Sequence, residues 1–563
     1  MNEPRANLPR DLLIIVALVL FAGVPSLFVR DLWNPDEPRY CEVAREMFLT
    51  HHYLVPHLNG DIYPEKGPVF FWIAAGFWKL GAGYVSGRLV TLLSVTGTLI
   101  LMYLASRGHI GAKGALLGAV ITLTTFLMFA FIRLGVLDAF QTLTATAAIM
   151  SGFYAMRPET RRRGPCWLVC YAAMALGVLN KGPVGFLVPA LTLIVYGLLD
   201  RKRTRAGGWW HLAGAALFVL LVAAWLVPAC IAGGEEYMDT ILVKQSIGRT
   251  VRSFSHRNPT YFYLEHAVDC FGPWVFMVPL AVAAAIRSHR RSGDSLPILA
   301  TVWFIVPILF FTLISGKRIN YVVPVTPALG LLCGWYFTSK AREEAGSRRA
   351  EIWLLRTACA LIALIGLALA AAAVALESGA WKPALGSSEL DAGLREMLTW
   401  LTPERAAIAV ALCALPLALG VAAFFLAARN TVKAVVALAA AVLLMGMPID
   451  FVALPALNPV KSGRTFSETV NRNAGASGRV YMFTDDFSGV FNLYTGRLRI
   501  PVVTNEEHLR KLLERPDVFV ITRMRDAEAT LGPETAEGHV IYHEGIGHAA
   551  MVLLKGRPTA SEK

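Results

Sequence analysis

Acids and cations set at the edges of apolar runs are the residues of this chain best suited to chemistry. Asp36, Glu37 and Arg39 stand in DLWNPDEPRY, Glu65 and Lys66 in YPEKGP, and Asp138 in FIRLGVLDAFQ. Lys181 follows in LNKGPVGF, and Lys317, Arg318 and Tyr321 in SGKRINYVVPVTP. A carboxylate facing an acceptor group can act as a general base or can orient that group. An ammonium such as Lys66 can hold a phosphate as a point charge. A carboxylate at the middle of a bilayer costs about 2.5–3.5 kcal/mol, so an acid such as Asp138 tends to face a cavity or a partner. Helix capping is the competing account of both acids. Asn34, Pro35 and Glu37 fit an N-cap, an N1 proline and an N3 glutamate opening a helix through Phe48, and Gln141 stands in the box position after Asp138. For Lys66 the competing account is a side chain reaching from a span end toward the interface.

A second group lies in 233–272, where VRSFSHRNPTYFYLEH contains His256. His256 with Glu65 could ligate a divalent ion, although no HxxH or HExxH spacing supports a metal, and a lone His is often only a polar loop residue. Lys244, Arg249, Arg252 and Arg257 of the same stretch suit an anionic headgroup or are simply solvated. Cations on the outer side of a membrane run against the usual topological bias, which favours substrate binding for some of them.

These residues need a scaffold, and the composition names it. Of 563 residues 55% are hydrophobic and 17% charged, which excludes an ordinary soluble protein. The net charge of +13 would suit nucleic acid, yet the basic clusters fall in short connectors between apolar runs, as a positive-inside topology expects. The eight cysteines show no metal spacing and no disulfide framework. The expected fold is all-α and polytopic. About thirteen spans can be drawn, near 12–29, 84–105, 114–132, 139–156, 166–180, 182–199, 209–232, 273–286, 297–314, 321–338, 353–376, 406–428 and 434–456. The first is expected to be retained rather than cleaved. The apolar stretch 68–82 reads as an interfacial helix, as does the amphipathic segment beginning at Asp36.

With that count, Arg157/Arg161/Arg162/Arg163 and Arg201/Lys202/Arg203/Arg205 fall on the cytoplasmic side. The loops 30–83 and 233–272, the turn 133–138 and the carboxyl terminus fall outside. Residues 1–456 are expected to form the membrane domain. Residues 457–563 are expected to form a small soluble α/β domain, with strands at Arg479–Phe483, Leu498–Val503, Val518–Thr522, His539–His543 and Ala549–Leu554 and a helix at Asn505–Leu513.

The stretch LWNPDEPRYCEVAREM, followed by YPEKGPVFFW, resembles the first periplasmic loop of the aminoarabinose lipid A transferases. These belong to the protein O-mannosyltransferase-like superfamily of integral-membrane glycosyltransferases, the GT-C class. The resemblance implies that Asp36 and Asp138 are the essential acids, and that Lys66 and Tyr321 approach a polyprenyl phosphate. It implies that Glu65 and His256 hold a zinc ion, and that no nucleotide cofactor is needed. Glu37, Arg39, Lys181 and Arg249 are further candidates for binding substrate. Gly67 stands where many relatives have Pro, and Pro38 where Thr is frequent.

The implied activity is transfer of a sugar from a polyprenyl-phosphate donor to lipid A or another periplasmic acceptor, at the inner membrane of a bacterium, with membrane lipids as the surroundings. Transfer of mannose or another hexose to protein or glycan is the alternative within the class. A lipid or sugar transporter is the alternative outside it. Transporters place polar sites at the midplane of repeated halves. Here the charges gather at one rim and no repeat is evident.

Overall fold

The structure is a computed structural model that describes residues 7–241, 258–378 and 399–557, apart from 206, 315, 341, 343–347, 476–477, 484–486 and 548. Apolar runs of span length become helices because a helix satisfies its own backbone within a bilayer. Among the described residues eight helices are long and apolar enough to cross a membrane, including Leu8–Phe28 (α1), the segment Gly83–Leu123 and Thr431–Ala456. The chain is an integral-membrane protein, mostly helical. Each expected span coincides with helical structure, but two of them run together. Ser86–Leu123 (α4) is one helix of 38 residues that bends at Gly111, where φ is 73°. The short helix Phe126–Phe131 (α5) completes the third expected span. Asp138–Met156 (α6), Arg163–Lys181 (α7) and Val184–Leu199 (α8) follow, then Trp210–Asp239 (α9).

The bundle core lies between α4 and the helices Ser295–Leu313 and Thr326–Thr338, around fully buried Tyr103, Trp274, Trp303 and Tyr336. Gly114 and Gly118 of α4 face Gly330 and Gly334 of Thr326–Thr338. A Cβ on Gly330 would fall 1.9 Å from Thr122 Oγ1, so only glycine lets these two backbones approach so closely.

On the expected outer rim, the segment after α1 forms Asp36–Thr50 (α2), the two-residue strands His57–Leu58 (β1) and Asp61–Ile62 (β2), and Val69–Lys79 (α3). α2 is less an interfacial helix than a core one: Tyr40, Val43, Ala44 and Met47 pack on Phe70, Phe71, Ala74 and Ala75 of α3 and on Val136 and Leu137.

The tail carries Arg479–Phe483 (β3), Val502–Val503 (β4), Val518–Arg523 (β5), Val540–Ile546 (β6) and Ala549–Lys555 (β7). They form one sheet in the order β4-β3-β5-β7-β6, with β3 parallel to both neighbours and β7 antiparallel to both of its own. Side chains alternate across β5, sending Phe519 and Ile521 to one core and Val518 and Val520 to the other. The expected strand from Leu498 shortens to two residues.

Candidate functional site

Asp138 opens α6, and the residues before it, 133–137, run outside any helix. Irregular backbone at membrane depth must find partners, and here side chains supply them. Arg30 Nη2 donates to Arg133 O at 2.6 Å, and Thr91 Oγ1 to Leu134 O at 2.7 Å. Gly135 N donates to Glu37 Oε1 at 2.8 Å, and Asn180 Nδ2 to Leu137 O at 3.1 Å. The turn is therefore held in one shape, and Asp138 is buried on it at 5% exposure. The helix start has no side-chain cap, and Gln141 Oε1 instead accepts from Asn180. The capping account of Asp138 gives way to an ion pair with Lys181. Lys181 is the last residue of α7, where a cation also complements the helix dipole. Its ammonium lies 5.8 Å from the centroid of the Tyr321 ring.

Asp36 is half-buried in the first turn of α2. Tyr40, one helical turn on, is 7% exposed, and burial raises the pKa of its phenol. The carboxylates of Asp36 and Asp138 both add to that rise. Arg39 is surrounded by Tyr63, Glu65, Asp36 and Tyr40, whose charges outweigh its burial and raise its pKa. Lys66 Nζ is 3.7 Å from Glu65 Oε2. The next residue, Gly67, packs directly on α7: a Cβ there would lie 1.9 Å from Leu179 O, two residues before Lys181. Only glycine permits that approach, and it brings the Lys66 turn to the helix end that carries Lys181. The structure thus groups Asp36, Arg39, Glu65, Lys66, Asp138, Lys181 and Tyr321 at one rim.

Other expected roles are corrected. Glu37 caps no helix and is not exposed to a ligand. It is 3% exposed, and its oxygens take Arg30 Nη1 at 2.6 Å, Arg88 Nε at 3.0 Å, Trp33 N at 3.2 Å and Gly135 N. Burial alone would raise its pKa, but Arg88 and Arg30 hold it at about 2. Lys317, on the expected outer side, is 3% exposed and donates from Nζ to Asn258 O at 3.0 Å. Arg249 and His256 lie outside the described residues, as do Lys244, Arg252 and Arg257. Among the described residues no group of three His, Cys, Asp or Glu side chains could hold a metal.

Sequence reasoning missed Arg30, Arg88, Arg133 and Asp450, which lie beneath the site. Arg133 donates to Asp450 Oδ1 at 2.8 Å and Oδ2 at 2.9 Å. A charged residue inside an apolar run implies a buried partner, and that signal, applied to these four, would have found them. Tyr40 and Tyr63 were not singled out in the sequence either.

The tail braces the rim from the other side. Asn492 Nδ2 donates to Asn59 Oδ1 at 2.7 Å, and Tyr494 Oη accepts from Leu32 N at 2.9 Å. A Cβ on Gly489 would stand 3.2 Å from Arg39 Cα.

Residues 65–227 match the family described as dolichyl-phosphate-mannose-protein mannosyltransferase. The chain is 32% identical over 366 residues to an undecaprenyl phosphate-alpha-4-amino-4-deoxy-L-arabinose arabinosyl transferase of Sodalis glossinidius. It is 30% identical over 365 residues to that of Erwinia tasmaniensis. Each match covers 64% of this chain, which in turn spans 64% of the length of these curated relatives. ArnT from Cupriavidus metallidurans, in a crystal structure bound to undecaprenyl phosphate, aligns with a TM-score of 0.72 at 22% identity, covering 96% of this chain and 97% of that one. An oligosaccharyltransferase of Archaeoglobus fulgidus aligns with a TM-score of 0.52 at 11% identity, covering 96% of this chain and 73% of that one. The chain is therefore an integral-membrane protein with the ArnT-like GT-C fold, and in sequence it resembles the undecaprenyl-phosphate aminoarabinose transferases.

Proposed function

We propose that this chain is a glycosyltransferase that moves a sugar from a polyprenyl-phosphate donor to an acceptor on the periplasmic face of the bacterial inner membrane. The sugar is aminoarabinose or a close relative, and the acceptor is lipid A or a similar lipopolysaccharide. The observation that carries the reading is the Asp138–Lys181 pair beside Tyr321, set at the same rim as Asp36 and Arg39. The similarity to the aminoarabinose transferases supports it.

In the reaction an acceptor oxygen attacks the anomeric carbon, and the bond from that carbon to the donor phosphate breaks. The electron pair leaves with the lipid phosphate. Lys66, Lys181 and Arg39 are the described cations placed to offset that charge, a preorganised electrostatic role. A phosphate acceptor carries no proton to remove at neutral pH, so Asp36 and Asp138 then orient the sugar. A hydroxyl acceptor would pass its proton to one of them. The donor's lipid chain would lie among the apolar helices, and a lipid donor removes the need for a nucleotide-sugar site.

Glu65 fits the zinc-ligand role in part: its carboxylate is 37% exposed and reachable from solution, with Lys66 as a competing partner. An ion on Glu65 and His256 would add positive charge beside the departing phosphate. Residues 457–563 are the candidate soluble periplasmic domain.

The second reading is mannosyl or hexosyl transfer to protein or glycan, favoured by the family match over residues 65–227. The test is to purify the protein and supply radiolabelled polyprenyl-phosphate aminoarabinose and polyprenyl-phosphate mannose, each with lipid A and with protein acceptors. Transfer to lipid A that disappears in Asp36→Asn and Lys66→Ala supports the first reading. Turnover indifferent to both substitutions refutes the assigned site. Sugar-lipid movement across liposomes without any transfer would replace the enzyme reading with a transporter.

A further inference from the structure

Asp36 and Asp138 come from segments about a hundred residues apart, as the sequence offset and the need for a defined reacting geometry make plain. A rigid link between their mounts is required, and the residue beside Asp36 forms it. Glu37 Oε1 accepts the Gly135 N–H at 2.8 Å, on the turn that leads into Asp138. The same carboxylate is gripped by Arg30 and Arg88. These arginines are immobile in turn. Arg88 Nη1 donates to Ser26 O at 2.9 Å and Arg30 O at 3.1 Å, and its Nη2 to Asp31 O at 2.7 Å. Arg30 Nη2 reaches across to Arg133 O at 2.6 Å, so the turn is tied twice to the group that holds Glu37. Arg133 is anchored on Asp450 in the last membrane helix.

We infer that Glu37 is a positioning residue that sets the spacing between Asp36 and Asp138, an inference resting on the glycosyltransferase reading above. It touches neither sugar nor phosphate. It holds the first turn of α2 against the 133–137 turn, so that the mounts of both acids keep a fixed spacing. The carboxylate length matters: Asp at this position stops one methylene short of the Gly135 N–H, and Gln keeps the length but leaves two buried guanidiniums without their counter-ion.

The test is steady-state transfer by the full chain in detergent or nanodiscs, varying the labelled lipid-phosphate donor, for wild type, Glu37→Asp and Glu37→Gln. Wild-type transfer in the same preparation separates a failure of the general reading from a failure of this one. The expected result is kcat lowered about 10²-fold for Glu37→Asp, which shortens the link, and for Glu37→Gln, which leaves the two guanidiniums that grip it unpaired, as for a misplacement near 1 Å. Donor KM should stay within about twofold, because ground-state binding is not what Glu37 supports. A raised donor KM with kcat kept would mean that Glu37 contacts the donor, and would overturn the inference. A lower melting temperature with kcat unchanged in the folded fraction would overturn it too, since a merely structural role predicts that outcome. Where Glu37→Gln does not fold, Arg88→Lys, which keeps the charge but loses the guanidinium fork, takes its place with the same expected signature.

Discussion

The Lys181 ammonium lies against the Asp138 carboxylate and 5.8 Å from the centroid of the Tyr321 ring, so three segments distant in sequence meet in one group. Replacing Lys181 with Met keeps the stem and removes the charge. We expect sugar transfer to fall by about 10²-fold, the scale of losing one electrostatic group aimed at developing charge. A transfer assay beside a thermal melt checks it, and full activity in Lys181→Met would remove Lys181 from the site.

The Arg133–Asp450 pair is buried at 4% and 1% exposure and anchors the turn before Asp138. Asp450→Asn leaves a buried guanidinium without its counter-ion and should cost about 3–5 kcal/mol. Arg133→Met with Asp450→Leu should recover much of that loss in stability, since a packed apolar pair avoids the desolvation of both charges. Activity is not expected to recover with it, because Arg133 also holds the turn. Detergent melting curves for the single and double variants measure the first point.

Asn492 ties the tail to the rim through Asn59, whose Oδ1 also takes the Ile500 N–H at 2.7 Å. Asn492→Ala leaves a buried polar atom less satisfied, at about 1–3 kcal/mol. The expected result is faster proteolytic cleavage near residues 51–62 together with reduced transfer. An unchanged cleavage pattern would show that the clasp does not order the rim.

Glu46 is 2% exposed beside Glu42, and burial raises the pKa of each to about 7, offset in part by the Gly60 N–H for Glu46 and by Arg45 for Glu42. An acid whose folded pKa exceeds its unfolded value binds more protons when folded, so stability falls as pH rises through the interval. Here that interval runs from the ordinary glutamate value of 4.5 to about 7. The melting temperature should therefore drop between pH 5 and pH 8, and Glu46→Gln should flatten the slope. A slope identical in Glu46→Gln would contradict the assignment.

A divalent ion on Glu65 and His256 would make transfer sensitive to chelators, with recovery on adding zinc. Glu65→Gln should lower activity to the chelated level and remove the sensitivity. Metal analysis of the purified protein gives a readout independent of turnover.

The polytopic helical architecture was legible because a span must be apolar for its whole length, a property that needs no knowledge of neighbours. The tail sheet was legible for the same local reason, down to Arg479–Phe483, since alternation within a strand reports its two faces. The acids Asp36 and Asp138 stood out because charge beside apolar runs is costly.

What the local pattern could not decide is which charges pair. Capping fitted both Asn34–Glu37 and Asp138–Gln141, yet Glu37 bonds Arg88 and Asp138 bonds Lys181. Those partners lie on other helices, and only packing brings them near. The sequence alone determined which residue types reach the rim. The tertiary structure decided which of them face each other and which, like Glu37 and Lys317, are spent inside, because desolvation makes every buried charge choose a partner across the fold.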